Sequence, residues 1–385
     1  MRPVAVLGIG QTKIEEQWEK SLRELAGDAI LAAMQDSGVQ TADALYLGNM
    51  ISGSASHQQH LGAYLADWVG LRFAEAVRVE AACSSGAAAF RSALMAVASG
   101  EVDVAIAAGV EKMTDSPAGE ITAQLATAAD ADYELDMGLS FIALNALVMR
   151  RYMEEYGWDK ISFAPFSINA HANAVHNPYA RFHQPITEEQ FRKSPMVADP
   201  ICVMDASPMG DGAAAAILVP ADQVRSIPGR PRIRVIGSGA ATDSIAIHGR
   251  RDPLWLRAAE LSARAAYNQA GLTPADIDLF ELHDAFTIMA ALSLEAAGFA
   301  ERGQAPRLAL DGEILPTGRI PICTLGGLKA RGHPVGATGM YQIVEVTRQL
   351  RGEAGEAQVP NARIGMAQNI GGSGSNILAH ILQAD

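Results

Sequence analysis

Residues 77–99 place the tightest limit on what this chain can become. Val77 to Gly86, VRVEAACSSG, reads as a buried β-strand that ends on Cys83. Ser84 to Ser99, SSGAAAFRSALMAVAS, follows as a helix-length run of small and apolar residues with Arg91 as its single charge. A helix of that composition is stable only when protein covers nearly every side of it. Gly100 closes the helix, and Val102 to Gly109, VDVAIAAG, returns as an apolar strand. Strand, buried helix and parallel strand form a right-handed crossover, which sets Cys83 at the first turn of a central helix. The free N–H groups of that turn and the helix dipole favour an anion and so lower a thiol's pKa. The same N–H groups can hold an oxyanion if the sulfur attacks a carbonyl. The competing role for Cys83 is that of a small buried residue filling a tight turn.

The chain of 385 residues suits two or three domains. Its 43 acidic and 30 basic residues give a formal net charge of -13, which argues against nucleic acid as a main partner. An anionic cofactor needs only a few local basic residues and is not excluded. Cys83, Cys202 and Cys323 show neither zinc nor disulfide spacing, a pattern of reducing compartments. The start, MRPVAVLGIG, enters a strand at once, and no apolar run approaches membrane-spanning length. A cytoplasmic protein is expected, without a membrane partner.

Val4 to Gly10 is the first strand. Its Gly8-Ile9-Gly10 turn lacks the third glycine of a dinucleotide site, with Lys13 in its place. Leu22 to Ser37 is an amphipathic helix ending near Gly38, and Ala44 to Leu47 is the next strand. The polar loop SGSASHQQH carries His57 and His60 into solvent. From Ser116 to about Pro195 the strand signals fade. Leu139 to Tyr156 reads as a helix rich in methionine and aromatic residues, followed by NAHANAVHNPYARFHQP. Such an excursion between regular strands is a lid or binding region. His171, His176, His183 and His248 lack the pairing of a metal site, so they read as substrate contacts or surface. Order resumes at the turn DASPMGDG and the strand Ala213 to Val219. Pro220 to Pro231, with Pro228-Gly229 inside it, is a linker, and a second half begins at Ile233.

That second half repeats the first. A helix to Gly271 followed by TPADIDLFELHDAF matches the helix to Gly38 followed by QTADALYLGNM, and this alignment sets Asp43 against Asp276. At constant spacing, Cys83-Ser84-Ser85-Gly86-Ala87 faces His333-Pro334-Val335-Gly336-Ala337. A helix, Gly336 to Leu350, and strands Arg363 to Gln368 and Ile377 to Leu382 follow. Two matched units on a pseudo-twofold bring two helix N-termini together, one presenting Cys83 and the other His333. A thiol within reach of an imidazole is an activated nucleophile. A histidine at a helix N-terminus is biased toward the neutral form that acts as a base.

Several blocks carry a family resemblance: Cys83-Ser84-Ser85, Gly109-Val110-Glu111-Lys112-Met113, Ala206-Ser207, Asp211-Gly212-Ala213, His283-Asp284-Ala285-Phe286, and Gly332-His333-Pro334-Val335-Gly336-Ala337-Thr338-Gly339. With them the chain resembles the thiolases over its whole length. The His-Asp-Ala-Phe block is similar to sterol-carrier-protein and archaeal-type members, where others have Asn-Glu-Ala-Phe. The resemblance implies an α/β thiolase fold: two pseudo-twofold-related βαβαβαββ halves in a five-layered α-β-α-β-α arrangement, with an inserted loop domain. The halves would be residues 1–115 with 196–225, and 230–385, around an insert at 116–195.

By the same resemblance Cys83 takes the acyl group as a thioester and His333 activates it. His283 and His333 line one oxyanion hole, and the N–H groups of Cys83 and Gly371 form the other. Ser207 matches a contact to the pantetheine arm of coenzyme A. No resident cofactor or metal is implied, only coenzyme A thioesters as substrates. The implied reaction is the joining of two acetyl-CoA into acetoacetyl-CoA, or its reverse, thiolysis. Implied partners are further copies in a homodimer or homotetramer, a small OB-fold protein and a hydroxymethylglutaryl-CoA synthase.

One departure stands out. Other members carry a second, proton-moving cysteine where this chain has Asn369, and sterol-carrier-protein members have a cysteine where it has Ala285. An amide exchanges no proton near neutral pH. Carbon–carbon chemistry must then borrow His283 or His333, or the protein performs only part of the reaction. Cys323 is expected in the core or a turn. Two other classes stay open: an aldolase-like carbon–carbon lyase, and a non-catalytic acyl-CoA-binding subunit.

Overall fold

Strict alternation of apolar side chains builds the centre of the molecule. The computed structural model describes residues 2–224 and 229–385, so the Arg225 boundary and the Pro228 part of the linker lie outside the described residues. In chain order the strands are β1 Val4–Gln11, β2 Ala44–Gly48, β3 Glu75–Val79, β4 Ala105–Glu111, β5 Met196–Ala198, β6 Ile201–Cys202, β7 Gly212–Pro220, β8 Ile233–Thr242, β9 Leu279–Glu281, β10 Ile364–Gly371 and β11 Asn376–Ala384. β5 and β6 form a ribbon. The others form one sheet in the order β3-β2-β4-β7-β1-β8-β11-β10-β9. In β7, Ala214, Ala216 and Leu218 enter one hydrophobic layer and Ala213, Ala215, Ile217 and Val219 the layer on the opposite face. A strand buried on both faces reads as a continuous apolar run, as this one does.

The sheet mirrors itself about the β1–β8 pair: β7, β4 and β2 on one side answer to β11, β10 and β9 on the other. Both halves pair antiparallel near the junction and parallel toward the edge. The Phe280–Ile322 bridge, also parallel, stands where the first half has β3. The Asp43 carboxylate accepts the Asp103 and Val104 N–H groups at 3.0 and 2.9 Å. Asp278 accepts those of Arg363 and Ile364, both at 2.8 Å. The counterpart of Asp43 is therefore Asp278. Asp276 instead closes the Thr273 turn, and the extra turn at Pro274 displaces the alignment read from sequence.

Two helices, Ser85–Ser99 and Thr338–Arg351, lie between the halves of the sheet. Leu22–Ser37 covers the outer face of the first half and Arg257–Ala270 that of the second, giving five layers. The outer helix Leu22–Ser37 starts on a Ser21 capping box and stops at Gly38 in the left-handed conformation. A Cβ on Gly8 or Gly10 would strike the backbone of this helix at Ala33 and Ala29. Those glycines serve close strand–helix packing.

The strand before Cys83 differs from expectation. β3 stops at Val79, forms the sheet edge and is half exposed, with Glu75 and Arg78 among its five residues. The Ser85–Ser99 helix is also less wrapped than expected, with Ala88, Arg91, Ser92 and Ala96 half-buried. Thr338–Arg351 is the helix enclosed almost all round.

The segment between β4 and β5 adds no strand among the described residues. Its helices Phe141–Tyr156 and Ala164–Ala174, with the turn Lys160–Phe163 between them, pack Met149, Tyr152, Phe163 and Phe166 into one core with Phe280, Ile288 and Leu292. An insertion in the first half of the chain thus shares its core with the second. Among the described residues no helix is long and apolar enough to cross a membrane.

Candidate active site

Cys83 owes its position to two hydroxyl groups. Ser84 Oγ donates to Ala81 O and Ser85 Oγ to Ala82 O, both at 2.6 Å, while Ala81 N–H donates to Ser85 Oγ at 2.9 Å. They hold a turn in which Ala82 takes a φ of 51°, a strained conformation for a residue with a Cβ. The turn delivers Cys83 half-buried to the wall of a cleft of about 340 Å³. Burial pushes the thiol's pKa up to about 12, and the Glu111 carboxylate adds to the rise, whereas the nearby backbone N–H groups of Gly372 and Cys83 oppose it. Burial thus acts against the lowering by a helix dipole that the sequence suggests.

His333 comes from the loop before the second central helix. Its N–H donates to Pro208 O at 3.1 Å, and its Nδ1 lies 2.6 Å from Thr338 Oγ1 at the start of that helix. Burial and then the Arg331 charge lower its pKa to about 3, so the imidazole is neutral at pH 7. His283 is buried as well. Desolvation, then the charges of His333 and Arg331, hold its pKa well below the usual histidine value. The two rings meet edge to face with centroids 5.1 Å apart. Behind the wall, Asn369 Nδ2 lies 2.9 Å from His283 Nδ1.

Ser207 lines the cleft, and its N–H donates to Ala285 O at 2.8 Å, stitching the 206–209 turn to the His283 segment. Gly371 lies one residue behind the wall. A Cβ there would sit 2.5 Å from Ala81 O and 2.7 Å from Ser84 Oγ, so glycine lets the end of β10 abut the Cys83 turn. Gly372, the next residue, lines the cleft beside the Cys83 sulfur. Leu125, Phe141, Ile142, Phe286, Met289 and Ile370 make the rest of the wall largely apolar.

Glu111 entered the sequence reading only within the Gly109–Met113 block, with no role assigned to it. Its buried carboxylate accepts from Asn49 Nδ2 at 2.8 Å, Met50 N at 2.9 Å, Ile51 N at 3.1 Å and Gly336 N at 3.0 Å. It thereby ties a first-half loop to the His333 loop. Burial raises its pKa to about 7 against these bonds. The available signal was an acidic residue ending the apolar run AIAAGV. Thr338, likewise quoted only within the Gly332–Gly339 block, opens a buried helix and was given no role.

The remaining candidates lie elsewhere. Cys202 and Cys323 are buried in the core. His176 pairs with Glu356 at 3.0 Å, and His171 stacks on Phe182. Converging on the cleft are one thiol, two neutral imidazoles and backbone N–H donors in an apolar wall, the parts needed for nucleophilic acyl transfer.

Comparison with known proteins agrees in extent and kind. Residues 4–222 match the family model "Thiolase, N-terminal domain" and residues 239–384 match "Thiolase C-terminal domain-like". The chain is 48% identical over 383 residues to an acetyl-CoA acetyltransferase of Methanothermobacter thermautotrophicus, with 99% of each chain covered. It is 37% identical over 391 residues to an acetyl-CoA acetyltransferase of Methanocaldococcus jannaschii, again with 99% of each covered. A solved structure described as "Ltp2-ChsH2(DUF35) aldolase" matches with a TM-score of 0.86 at 26% identity, covering 100% of this chain and 98% of that one.

Proposed function

The chain belongs to the thiolase family, and from that premise we propose that it joins two acetyl-CoA molecules into acetoacetyl-CoA, or reverses that step, through an acyl group carried on Cys83. It is an acyltransferase that takes coenzyme A thioesters as substrates and needs no resident cofactor. The observation that carries the reading is the convergence of Cys83, His283 and His333 on one apolar cleft. Cys83 is the nucleophile. Its proton passes to neutral His333 as sulfur attacks the thioester carbonyl, and the departing coenzyme A thiolate takes that proton. The Cys83 and Gly371 N–H groups receive the oxyanion that forms as the sulfur attacks, and they supply the largest catalytic term. His283 and His333 receive the thioester oxygen of the second acetyl-CoA. Ser207, on the wall beside them, contacts the pantetheine arm.

The halves are residues 1–115 with 196–225, and 230–385, with 116–195 as the insert. A second copy pairs along β3: among the described residues no strand pairs with its outer edge, Val77 is 41% exposed, and Phe73 stands wholly exposed at a φ of 73° just before it. Exposed edges of this kind recruit another strand. A homodimer or a homotetramer built from it follows. An OB-fold protein and a hydroxymethylglutaryl-CoA synthase are further partners, in keeping with a structural neighbour whose description names two proteins. Three unpaired thiols suit the cytoplasm.

The test is intact-protein mass spectrometry after mixing with acetyl-CoA, on wild type and Cys83→Ala, beside assays for acetoacetyl-CoA formation and thiolysis. A Cys83-dependent acetyl adduct with turnover is expected. No adduct with any acyl-CoA would remove the nucleophile and favour a lyase or a binding subunit.

A further inference from the structure

Of the side chains lining the cleft, only Cys83, His283 and His333 can exchange a proton near neutral pH. Two of the three have a fixed partner. Asn369 Nδ2 faces His283 Nδ1 at 2.9 Å, and an amide N–H can only donate. Its Oδ1 points toward Gly339, where a Cβ would lie 2.6 Å from it and would also strike the Ala87 N–H. The oxygen end thus faces the positive N-terminus of the Ser85–Ser99 helix, the orientation the dipole favours. With the amide in this orientation, its Oδ1 without a hydrogen-bond partner, Nδ1 of His283 is the unprotonated nitrogen and Nε2 carries the hydrogen. At His333 the Nδ1–H can donate to Thr338 Oγ1, at 2.6 Å, leaving a lone pair on Nε2.

We propose that Asn369 is a positioning residue that locks His283 as a hydrogen-bond donor, so that His333 is the base of both half-reactions. This rests on the thiolase reading above. In the first half-reaction His333 takes the Cys83 proton, the sulfur–acyl bond forms, the acyl–coenzyme A bond breaks, and the proton leaves on the coenzyme A thiol. In the second, His333 gives up its share of the thioester oxygen, which His283 Nε2–H then holds alone, and its free Nε2 takes a methyl proton from the new acetyl-CoA. The new carbon–carbon bond forms at the Cys83 thioester, the sulfur–acyl bond breaks, and the proton returns to Cys83. Two carriers become one, and the position that elsewhere holds the second cysteine instead sets a tautomer.

Asn369→Asp tests the lock, because an ionised carboxylate at that position accepts the Nδ1 hydrogen and reverses the tautomer while keeping the shape. Acetylation of Cys83, followed by mass spectrometry, should persist near the wild-type rate. Condensation kcat should fall about a hundredfold or more, the loss on removing an oxyanion donor or imposing the wrong tautomer, with KM little changed. The deficit should shrink as falling pH protonates the new carboxyl, which a merely structural defect would not do. Condensation at the wild-type rate, or a loss equal at every pH, would overturn the lock. Loss of the adduct in wild type as well would instead sink the parent reading. Exchange of acetyl-CoA methyl protons with D2O, followed by NMR, tests the base. Cys83→Ala should catalyse it, and Cys83→Ala with His333→Ala should not. Absence of exchange in the first, or its survival in the second, would overturn the single-base assignment.

Discussion

The Ser85–Ser99 and Thr338–Arg351 helices occupy matched places in the two halves, yet they are stabilised in opposite ways. The first is built from small residues, contains no acidic side chain, and leaves Met95 54% exposed. The second is enclosed, and it buries the Glu345 carboxylate against the Arg331 guanidinium with no exposure on either side chain. The backbone repeats while the chemistry does not. The repeat supplies two converging helix N-termini, and the different surroundings decide that one delivers a thiol and the other an imidazole held neutral beside a buried cation.

The largest test of this contrast is Glu345→Ala. Breaking a buried ion pair leaves an uncompensated charge, so a loss of about 3–5 kcal/mol is expected in chemical denaturation. Arg331→Met with Glu345→Leu should be nearly neutral by the same argument. A single substitution costing as little as the double would mean that the pair is hydrated, and the contrast between the helices would fail.

Next in size are the glycines where the two helices touch. A Cβ on Gly86 would lie 2.9 Å from Gly336 O and Met340 N, and one on Gly339 would meet Ala87 and Asn369 Oδ1. Either Gly→Ala change overpacks backbone against backbone and should cost about 1–3 kcal/mol. Only Gly339→Ala pushes on Asn369, so it should also depress condensation more than acetylation. Equal kinetic damage from the two would break the distinction.

The halves also differ in how pH acts on them. Glu111 in the first half has a folded pKa of about 7 against an ordinary 4.5. Its burial costs nothing below pH 4.5, and the penalty grows as pH rises through 7. His380 in the second half, packed edge to face on Phe90, has a folded pKa of about 3 against 6.5. Its penalty is absent above pH 6.5 and grows as pH falls toward 3. Stability measured across pH should therefore lose its acid slope in part with His380→Leu and its slope between pH 4.5 and 7 in part with Glu111→Gln. Because His333 stays neutral down to about pH 3, kcat/KM should show no acid limb near 6.5.

Much of this architecture was legible because it follows from local pattern. The Leu22–Ser37 helix and the apolar β7 are visible in residue spacing, and the matched Cys83 and His333 turns disclose the two halves. What failed depends on contacts between distant residues. That β3 is an edge follows from strand order, which its five residues do not contain. The direction of the Cys83 shift depends on what covers the sulfur, and the nearby Glu111 charge arrives from another strand. Asn369 stood out in the sequence as a departure, but its partner His283 is remote in the chain and adjacent only through β9 and β10.

The smallest prediction asks whether the repeat is energetic as well as geometric. Asp43 and Asp278 each hold two backbone N–H groups of the strand alongside, in matched positions before β2 and β9. Hydrogen bonds to a charged acceptor contribute about 1.5–3 kcal/mol when buried, and screening at these exposed turns reduces that to about 1 kcal/mol. Asp43→Ala and Asp278→Ala should cost nearly the same in denaturant titration. A clear inequality would follow if the first half borrows stability from a second copy along β3: Asp43→Ala would then weaken self-association, read by sedimentation, while Asp278→Ala would not. Equal costs with unchanged association would mean that each half holds its own crossover, and that the asymmetry of the molecule is confined to the two helix N-termini and the charges beneath them.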